Sequence, residues 1–416
     1  MPISISNKLT MAMFATAAVG AAQPSLAQDT LPPEIANGKP SDVPIAVQRL
    51  RWAMNDADVN ALTFHSMDDL FTTRTVPRSG PVWHLPREDH ALDFTYDFGG
   101  ATYSPEQFLD RTYTNALLVM KDGKIVYENY RNNTGPDTRF IAWSMTKSLT
   151  SLMIGTALQE GRIASLDDTI DSYIPELKGG GYEGVTIRQI MQMRSGVDYE
   201  DRFDFANPSP GQLNHIDALV KNAQRFTDPA LTVSRASEPG TEFRYKTLDT
   251  AVLGWLLERV SAGSSIAAYM AQRLWEPLGA ERDGFFIMDG PPGVGREFNG
   301  AGFNATLRDF ARVGQMMLDQ GRANGHQIVP AEWIALTTAT AVPEADGTMG
   351  YGYQWWTLGD GSYSAIGLQG QYIFVDPRSR TVLVKLSYFP PLDDQADEET
   401  RAFLKAVSAW SPGEQN

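Results

Sequence analysis

In the stretch "WSMTKSLTSLMIGTALQEG", residues 143–161, Ser144 and Lys147 stand three residues apart where a polar run turns apolar and a helix is expected to begin. A helix returns to the same face after three or four residues, so a hydroxyl and an amine at this spacing can touch. The backbone N–H groups of a first helical turn lack partners inside the helix and the dipole favours negative charge there, which suits a serine attacking a carbonyl. The obstacle is the lysine, whose ordinary pKa of about 10.4 keeps it protonated at neutral pH unless burial or a nearby cation lowers it. Leu149, Leu152 and Met153 on the same helix are consistent with a desolvated setting. The bland alternative is an N-cap serine followed by a solvated lysine.

Acyl transfer also needs a second proton carrier and donors for an oxyanion. In "GTEFRYKTLDTAVLGWLLE", Tyr245 lies in a short segment before an apolar helix, where a phenol beside a charged lysine would ionise more easily and shuttle a proton. The competing reading is a packed core aromatic. "SYSAIGLQGQYIFVDP" carries Gly367 and Gly370 within a strand pattern, which marks close approach to the backbone, by a ligand for example, or else an edge bulge. "SGVDYEDRFDFANPSP" offers Tyr199 and Asp201 as polar contacts for a substrate, or is a solvated connection.

These residues need a scaffold. "NALLVMKDGKIVYENY" reads as a β-hairpin at 115–130 turning at Asp122-Gly123. Helical periods follow at 186–196, 250–263, 266–279 and 307–321, each ending at or near a glycine. A period of two returns in "YGYQWWTL", "SYSAIGL", "QYIFVDP" and "TVLVKLSYF", before a last helix at 394–409 whose first turn is acidic. Strands at both ends with helices between predict an α/β (α+β) protein: one antiparallel sheet built from both ends of the chain, flanked by helices, with a helical region at about 160–320 inserted. Residues 28–103, rich in Pro, Gly and Asp with one expected helix in "VPIAVQRLRWAMNDADV", read as an N-terminal extension packed on the main body at 104–410, and 411–416 as a tail.

Residues 1–27 have the form of an export signal: Lys8, the apolar run "LTMAMFATAAVGAA", then small residues at Ser25 and Ala27. The run is too short to span a bilayer, so cleavage after Ala27 and a periplasmic or secreted protein are expected. Loss of Lys8 moves the formal charge from -15 to -16, a surface that disfavours nucleic acid and anionic membranes as partners. With no cysteine, thiol catalysis and disulfides are excluded. The five histidines, His65, His84, His90, His215 and His326, show no metal-ligand spacing, and no G-x-S-x-G marks a nucleophile elbow. "DGPPGVGREFNG" lacks phosphate-loop spacing and reads as a loop. No metal or cofactor is expected, and a homodimer is left open.

With S-x-x-K at 144–147, Tyr245 and a glycine-bearing strand at 363–376 in this order, the chain resembles the serine β-lactamase and penicillin-binding protein family, whose signature is S-x-x-K, Y-x-N and K-T-G. The similarity runs from about residue 104 to 410, and is greatest to the branch holding class C β-lactamases, family VIII esterases and 6-aminohexanoate-dimer hydrolases. "WSMTKSLTSLMIGTALQEGRIASLDDTIDSYIPEL", "YEGVTIRQIMQMRSGVDYEDRF" and "FRYKTLDTAVLGWLLERVSAG" look like the last of these. The resemblance implies a β-lactamase/DD-peptidase-like fold and a nucleophile at Ser144. It implies that Lys147 takes the serine proton, that Tyr245 passes a proton to the leaving group, and that the oxyanion is held by the backbone N–H groups of Ser144 and Leu368.

Two departures qualify it. Thr247 replaces the Asn of Y-x-N, and Ala365-Ile366-Gly367 replaces K-T-G, so Ile366 and Gly367 bring no cation or hydroxyl for a substrate carboxylate. An apolar pair there suits uncharged or hydrophobic acyl groups. The expectation is an exported serine hydrolase of small esters or linear amides working through an acyl-enzyme, against two alternatives: a β-lactamase or D-Ala-D-Ala carboxypeptidase, and a binding protein that keeps the fold without turnover.

Overall fold

The computed structural model describes residues 33–36, 38–202, 208–343, 349–391 and 393–413. The expected export signal, the middle of "SGVDYEDRFDFANPSP" and the end of the expected tail lie outside them.

An eight-stranded antiparallel sheet organises the molecule. Its order is Val342–Pro343, Gly350–Tyr351, Trp356–Thr357, Tyr363–Gly367, Gln371–Asp376, Thr381–Ser387, Thr114–Lys121 and Lys124–Tyr130, so strands from the two ends of the chain meet at its centre. There Val384 faces Leu118 and Leu383 faces Val119. The hairpin forms as the sequence predicts, with Asp122 and Gly123 at φ 48° and 80°, the left-handed pair that a two-residue hairpin turn requires.

Both faces of this sheet are covered, so its central strands read as unbroken apolar runs. Leu118, Met120, Ile373, Val382 and Val384 face the inserted helices, while Leu117, Val119, Phe374 and Leu383 face the C-terminal helix Asp394–Ala409. That helix starts where the acidic run predicts, with Asp393 accepting from Ala396 N at 2.9 Å.

A second sheet is the main departure from expectation. It has the order Thr73–Val76, Gly284–Ile287, Phe303–Thr306 and Arg139–Ile141, and two of its strands arise inside the stretch read as helical. Four-residue apolar runs carry too little periodicity to be told from helix. The stretch at 266–279 is one helical rod that widens over Ala271–Trp275 and ends at Gly279, φ 70°. The one at 186–196 is helical only over Ile187–Met191, because Met193 and Gly196 turn to φ 55° and 75°.

The N-terminal segment is built into the body. Met54, Phe64, Met67, Leu70 and Phe71 share a core with Ile141, Trp143, Phe226 and Phe298, and Phe64 O accepts from Ile141 N.

Candidate active site

The helix Met145–Gln159 is buried from Met145 to Ala157, so its polar residues must bond to other segments rather than to water. They do so in four directions. Thr146 Oγ1 accepts from Phe303 N at 3.1 Å, Ser148 Oγ donates to Gln354 O at 2.6 Å, Thr150 Oγ1 donates to Asn299 O at 3.0 Å, and Ser151 pairs with Thr337 at 2.9 Å. The rod is thereby locked along and about its axis. Its N-terminus is entered through Trp143 at φ 44°, an unfavourable region for so bulky a residue, held by edge-on packing of the indole against Phe64 at 5.5 Å.

Ser144 makes no capping bond to the helix, so the ordinary N-cap reading fails. Its Oγ lies 2.9 Å from Lys147 Nζ. Lys147 is only 1% exposed, and its Nζ is also 2.8 Å from Gly300 O and 3.2 Å from Thr247 Oγ1. Burial pushes its pKa down to about 7, against a smaller opposing pull from the charge of Asp201. A large fraction of Lys147 is therefore neutral at pH 7 and able to accept the serine proton.

Tyr245 immediately precedes Lys246 and the helix Thr247–Val260, which begins beside Lys147. Its hydroxyl is hydrogen-bonded to Ser144, its ring stacks on Trp356 at 5.6 Å, and Lys147 Nζ lies 4.9 Å from the ring centre. Loss of hydration drives its pKa up, outweighing the Ser144 bond, so the expectation of an easily ionised phenol is reversed. Neutral Tyr245 can relay a proton, and Lys147 is the stronger candidate base. Thr247 takes up the place beside Lys147 that its position suggested, and Asp201 accepts a hydrogen bond from Thr247 N at the start of the same helix.

Across from the serine, the strand Tyr363–Gly367 ends and Leu368 follows, 44% exposed and lining the same cavity. A Cβ on Gly367 would lie 2.3 Å from Ala142 O and 3.2 Å from Trp143 Cβ. The close approach inferred for this glycine is thus made by the chain's own Ala142–Trp143 segment, which brings the turn at Leu368 against the turn at Ser144. Ile366 alternates to the opposite face of the sheet, onto the core under the C-terminal helix, and Ala365 is buried in the core on the other face. Neither lines the cavity. Tyr199 is also withdrawn from it: the side chain is buried, with its hydroxyl accepting from Asn214 Nδ2 at 3.0 Å.

The cavity over Ser144 encloses about 220 Å³, lined by Asn55, Trp143, Ser144, Asp201, Gly211, His215, Phe226, Tyr245, Thr247, Phe298, Ala301 and Leu368. Its walls are mostly apolar; among the described residues no lysine or arginine lines it and Asp201 is its one carboxylate. His215 is held neutral at pH 7, its pKa pushed down to about 4 by burial. Sequence reasoning missed Asn55, Phe226, Phe298 and Gly300, which come from segments without a motif. "EFNG", the end of a stretch read simply as a loop, supplies both Phe298 and the Gly300 carbonyl on Lys147. A Cβ on Gly300 would lie 2.6 Å from Thr247 Cγ2, a close-contact signal that a sequence shows only as a glycine.

Among the described residues no group of three or more His, Asp or Glu is arranged to hold a metal ion. The chain is 34% identical over 357 residues to 6-aminohexanoate-dimer hydrolase of Paenarthrobacter ureafaciens, covering 81% of this chain and 88% of that one. A Bacillus anthracis structure described as a 6-aminohexanoate-dimer hydrolase superposes with a TM-score of 0.75 at 24% identity, over 87% of this chain and 94% of that one. A family VIII carboxylesterase superposes with a TM-score of 0.53 at 17% identity, over 73% and 98%. The Beta-lactamase family model matches residues 106–407, a span that holds both strand groups of the main sheet and the described lining of the Ser144 cavity apart from Asn55, and the chain belongs to that family.

Proposed function

We propose that this β-lactamase-family hydrolase cleaves small esters or linear amides through an acyl-enzyme on Ser144. The observation that carries the reading is a fully buried Lys147 whose pKa is lowered to about 7 and whose Nζ lies 2.9 Å from Ser144 Oγ. Ser144 Oγ bonds to the carbonyl carbon as its proton passes to Lys147. The new ammonium is held by Gly300 O and Thr247 Oγ1, with the charge of Asp201 nearby. The backbone N–H groups of Ser144 and Leu368 receive the oxyanion; as it collapses the bond to the departing oxygen or nitrogen breaks, Tyr245 gives that atom its proton and is reprotonated from Lys147, which returns to the neutral amine. Water then adds to the acyl-enzyme by the same route in reverse and releases the acid.

The cavity favours this substrate class over β-lactams. At about 220 Å³ it is smaller than the roughly 300–1,000 Å³ typical of drug-sized sites, and among the described residues its lining offers no lysine or arginine to a substrate carboxylate. A short linear acyl chain is the class this lining suits, and the 6-aminohexanoate dimer is tested because of the named relative. The test is a fluorophosphonate probe on the protein and its Ser144→Ala variant, followed by p-nitrophenyl esters, the 6-aminohexanoate dimer and benzylpenicillin as substrates. Labelling at Ser144 with ester or amide turnover is expected; an unlabelled Ser144 in folded protein sinks the mechanism, and faster turnover of benzylpenicillin shifts the assignment to a β-lactamase. Export is part of the proposal, supported by the form of residues 1–27, and a periplasmic or secreted protein whose first residue is Gln28 is the expected result of intact-mass analysis.

A further inference from the structure

Backbone pairing holds the turn that carries Leu368 to the segment after the neighbouring strand, where Phe389 N donates to Gln369 O at 3.1 Å. Only Leu368, Gln369 and Gly370 link the strands Tyr363–Gly367 and Gln371–Asp376, with Gln369 at φ 56° and Gly370 at φ 92°. The Leu368 side chain is exposed at the cavity mouth, so it cannot fix its own main chain. A left-handed non-glycine residue in such a turn relaxes unless its surroundings hold it.

Gln371 supplies that hold. It is 1% exposed and sits directly opposite Gly367 in the sheet, and a Cβ on Gly367 would lie 3.0 Å from Gln371 Cβ. Its Nε2 lies 3.2 Å from Leu368 O, 3.1 Å from Gln369 O and 2.8 Å from Ser387 O, while its Oε1 accepts from Ser387 N at 3.1 Å. One side-chain amide thus ties two successive carbonyls of the turn to the neighbouring central strand. Gln369 fastens the other side of the turn, donating to Asn55 O at 2.9 Å and Phe389 O at 2.6 Å. Asn55 lines the cavity, so the turn is also tied to the N-terminal segment.

We infer that Gln371 is the positioning residue of the oxyanion hole, holding the Leu368 peptide in place from behind without touching substrate. The inference rests on the acyl-enzyme reading above. An oxyanion donor acts by being fixed before the reaction, and a displacement of about 1 Å can cost about 100-fold in rate. Gln371 therefore governs the stabilisation of the tetrahedral intermediate, and of the acyl-binding walls only Leu368 moves with it.

Gln371→Met, which keeps the volume and removes the donors, is compared with wild type for hydrolysis of a p-nitrophenyl ester and inhibition by an arylboronic acid, whose tetrahedral adduct on serine mimics the intermediate. The expected result is a fall in kcat of about 10- to 100-fold with KM within about two-fold, and a boronate Ki raised at least about 10-fold. Gln371→Glu keeps the acceptor for Ser387 N and, protonated in that buried setting, one donor, so its rate falls between the two. If Gln371→Met does not fold, Gln371→Glu decides alone, with a kcat loss of at least about five-fold at unchanged KM. Wild-type kcat and boronate Ki in the folded variant, or a loss that only tracks the fraction folded, overturns the proposal. Fluorophosphonate labelling of Ser144 in wild type, lost in Ser144→Ala, is run alongside: its failure defeats the acyl-enzyme reading itself, whatever Gln371 does.

Discussion

Lys147 is where burial and chemistry meet. The three oxygens around its Nζ belong to uncharged groups, and desolvation brings its pKa to about 7. Because only the neutral amine accepts the Ser144 proton, kcat/KM for an ester should rise as pH passes upward through about 7 and then level off. A profile flat from pH 5.5 to 8.5 would exclude Lys147 as the base. Lys147→Met should cost about 10²- to 10⁴-fold in kcat and abolish the ascending limb. Tyr245 separates the two steps. Its raised pKa keeps it a neutral donor, so Tyr245→Phe should harm amide hydrolysis, where the leaving nitrogen needs a proton, far more than p-nitrophenyl ester hydrolysis, whose leaving group departs as an anion. Equal losses on both substrates would remove Tyr245 from the leaving-group step. At this scale the sequence was informative: Ser144, Tyr245, Thr247, Asp201 and Leu368 all line one cavity, and Lys147 is buried against Ser144 behind it. What it could not show was a backbone partner such as Gly300 O, because a carbonyl is present at every residue.

The elements explain which other features were legible. The hairpin at 115–130 was readable because Asp122-Gly123 has local turn chemistry, and Asp394–Ala409 because its acidic start and apolar period agree. Gly284–Ile287 and Phe303–Thr306 were not, since each is defined by a partner strand rather than by its own pattern. Gln371 belongs with them: a glutamine opening a strand reads as an edge residue, and only the placement of Ser387 and of the Leu368 turn around it gives its amide four partners. Gly367 joins two elements whose separation sets the site. Gly367→Ala places a methyl 2.3 Å from Ala142 O, so either the strand end or the Ser144 turn must shift. The expected outcome is a loss of about 1–3 kcal/mol in urea unfolding together with a fall in kcat exceeding about 10-fold. Wild-type kcat in a folded Gly367→Ala protein would show that the two turns are not coupled through this contact.

At the scale of the whole molecule, the N-terminal segment proved more than a cover, because its apolar residues complete a core under Trp143 and it places Asn55 in the cavity. Sparse apolar residues imply dependence on the body, but which surface they complete is a tertiary fact. The same large cores bury lysines well away from the serine. Lys121, buried with its Nζ on Thr381 Oγ1 at 2.7 Å and Val407 O at 2.6 Å, has its pKa lowered to about 8, and Lys385 is depressed by burial between Thr112 O and the rings of Phe108 and Phe389. In each case the folded pKa lies below that of the unfolded chain. Between the folded value and about 10.5 the unfolded state therefore binds more protons, and stability rises with pH. Among the buried carboxyls, Asp289, raised to about 6, favours the folded state at acid pH and loses that contribution as pH rises to about 6. Buried tyrosines with raised pKa, such as Tyr182 and Tyr351, resist ionisation in the folded state and oppose stability only above their ordinary value near 10. Lys147 at about 7 and Lys121 at about 8 place the effect of the lysines in the window from about pH 7 to 9.5. The urea midpoint should climb across it, and Lys121→Met should flatten the part of the climb above about pH 8. A climb of the same steepness in Lys121→Met would assign the pH dependence to other groups, and a midpoint that falls across this window would mean that the buried lysines stay charged in the folded protein, Lys147 among them.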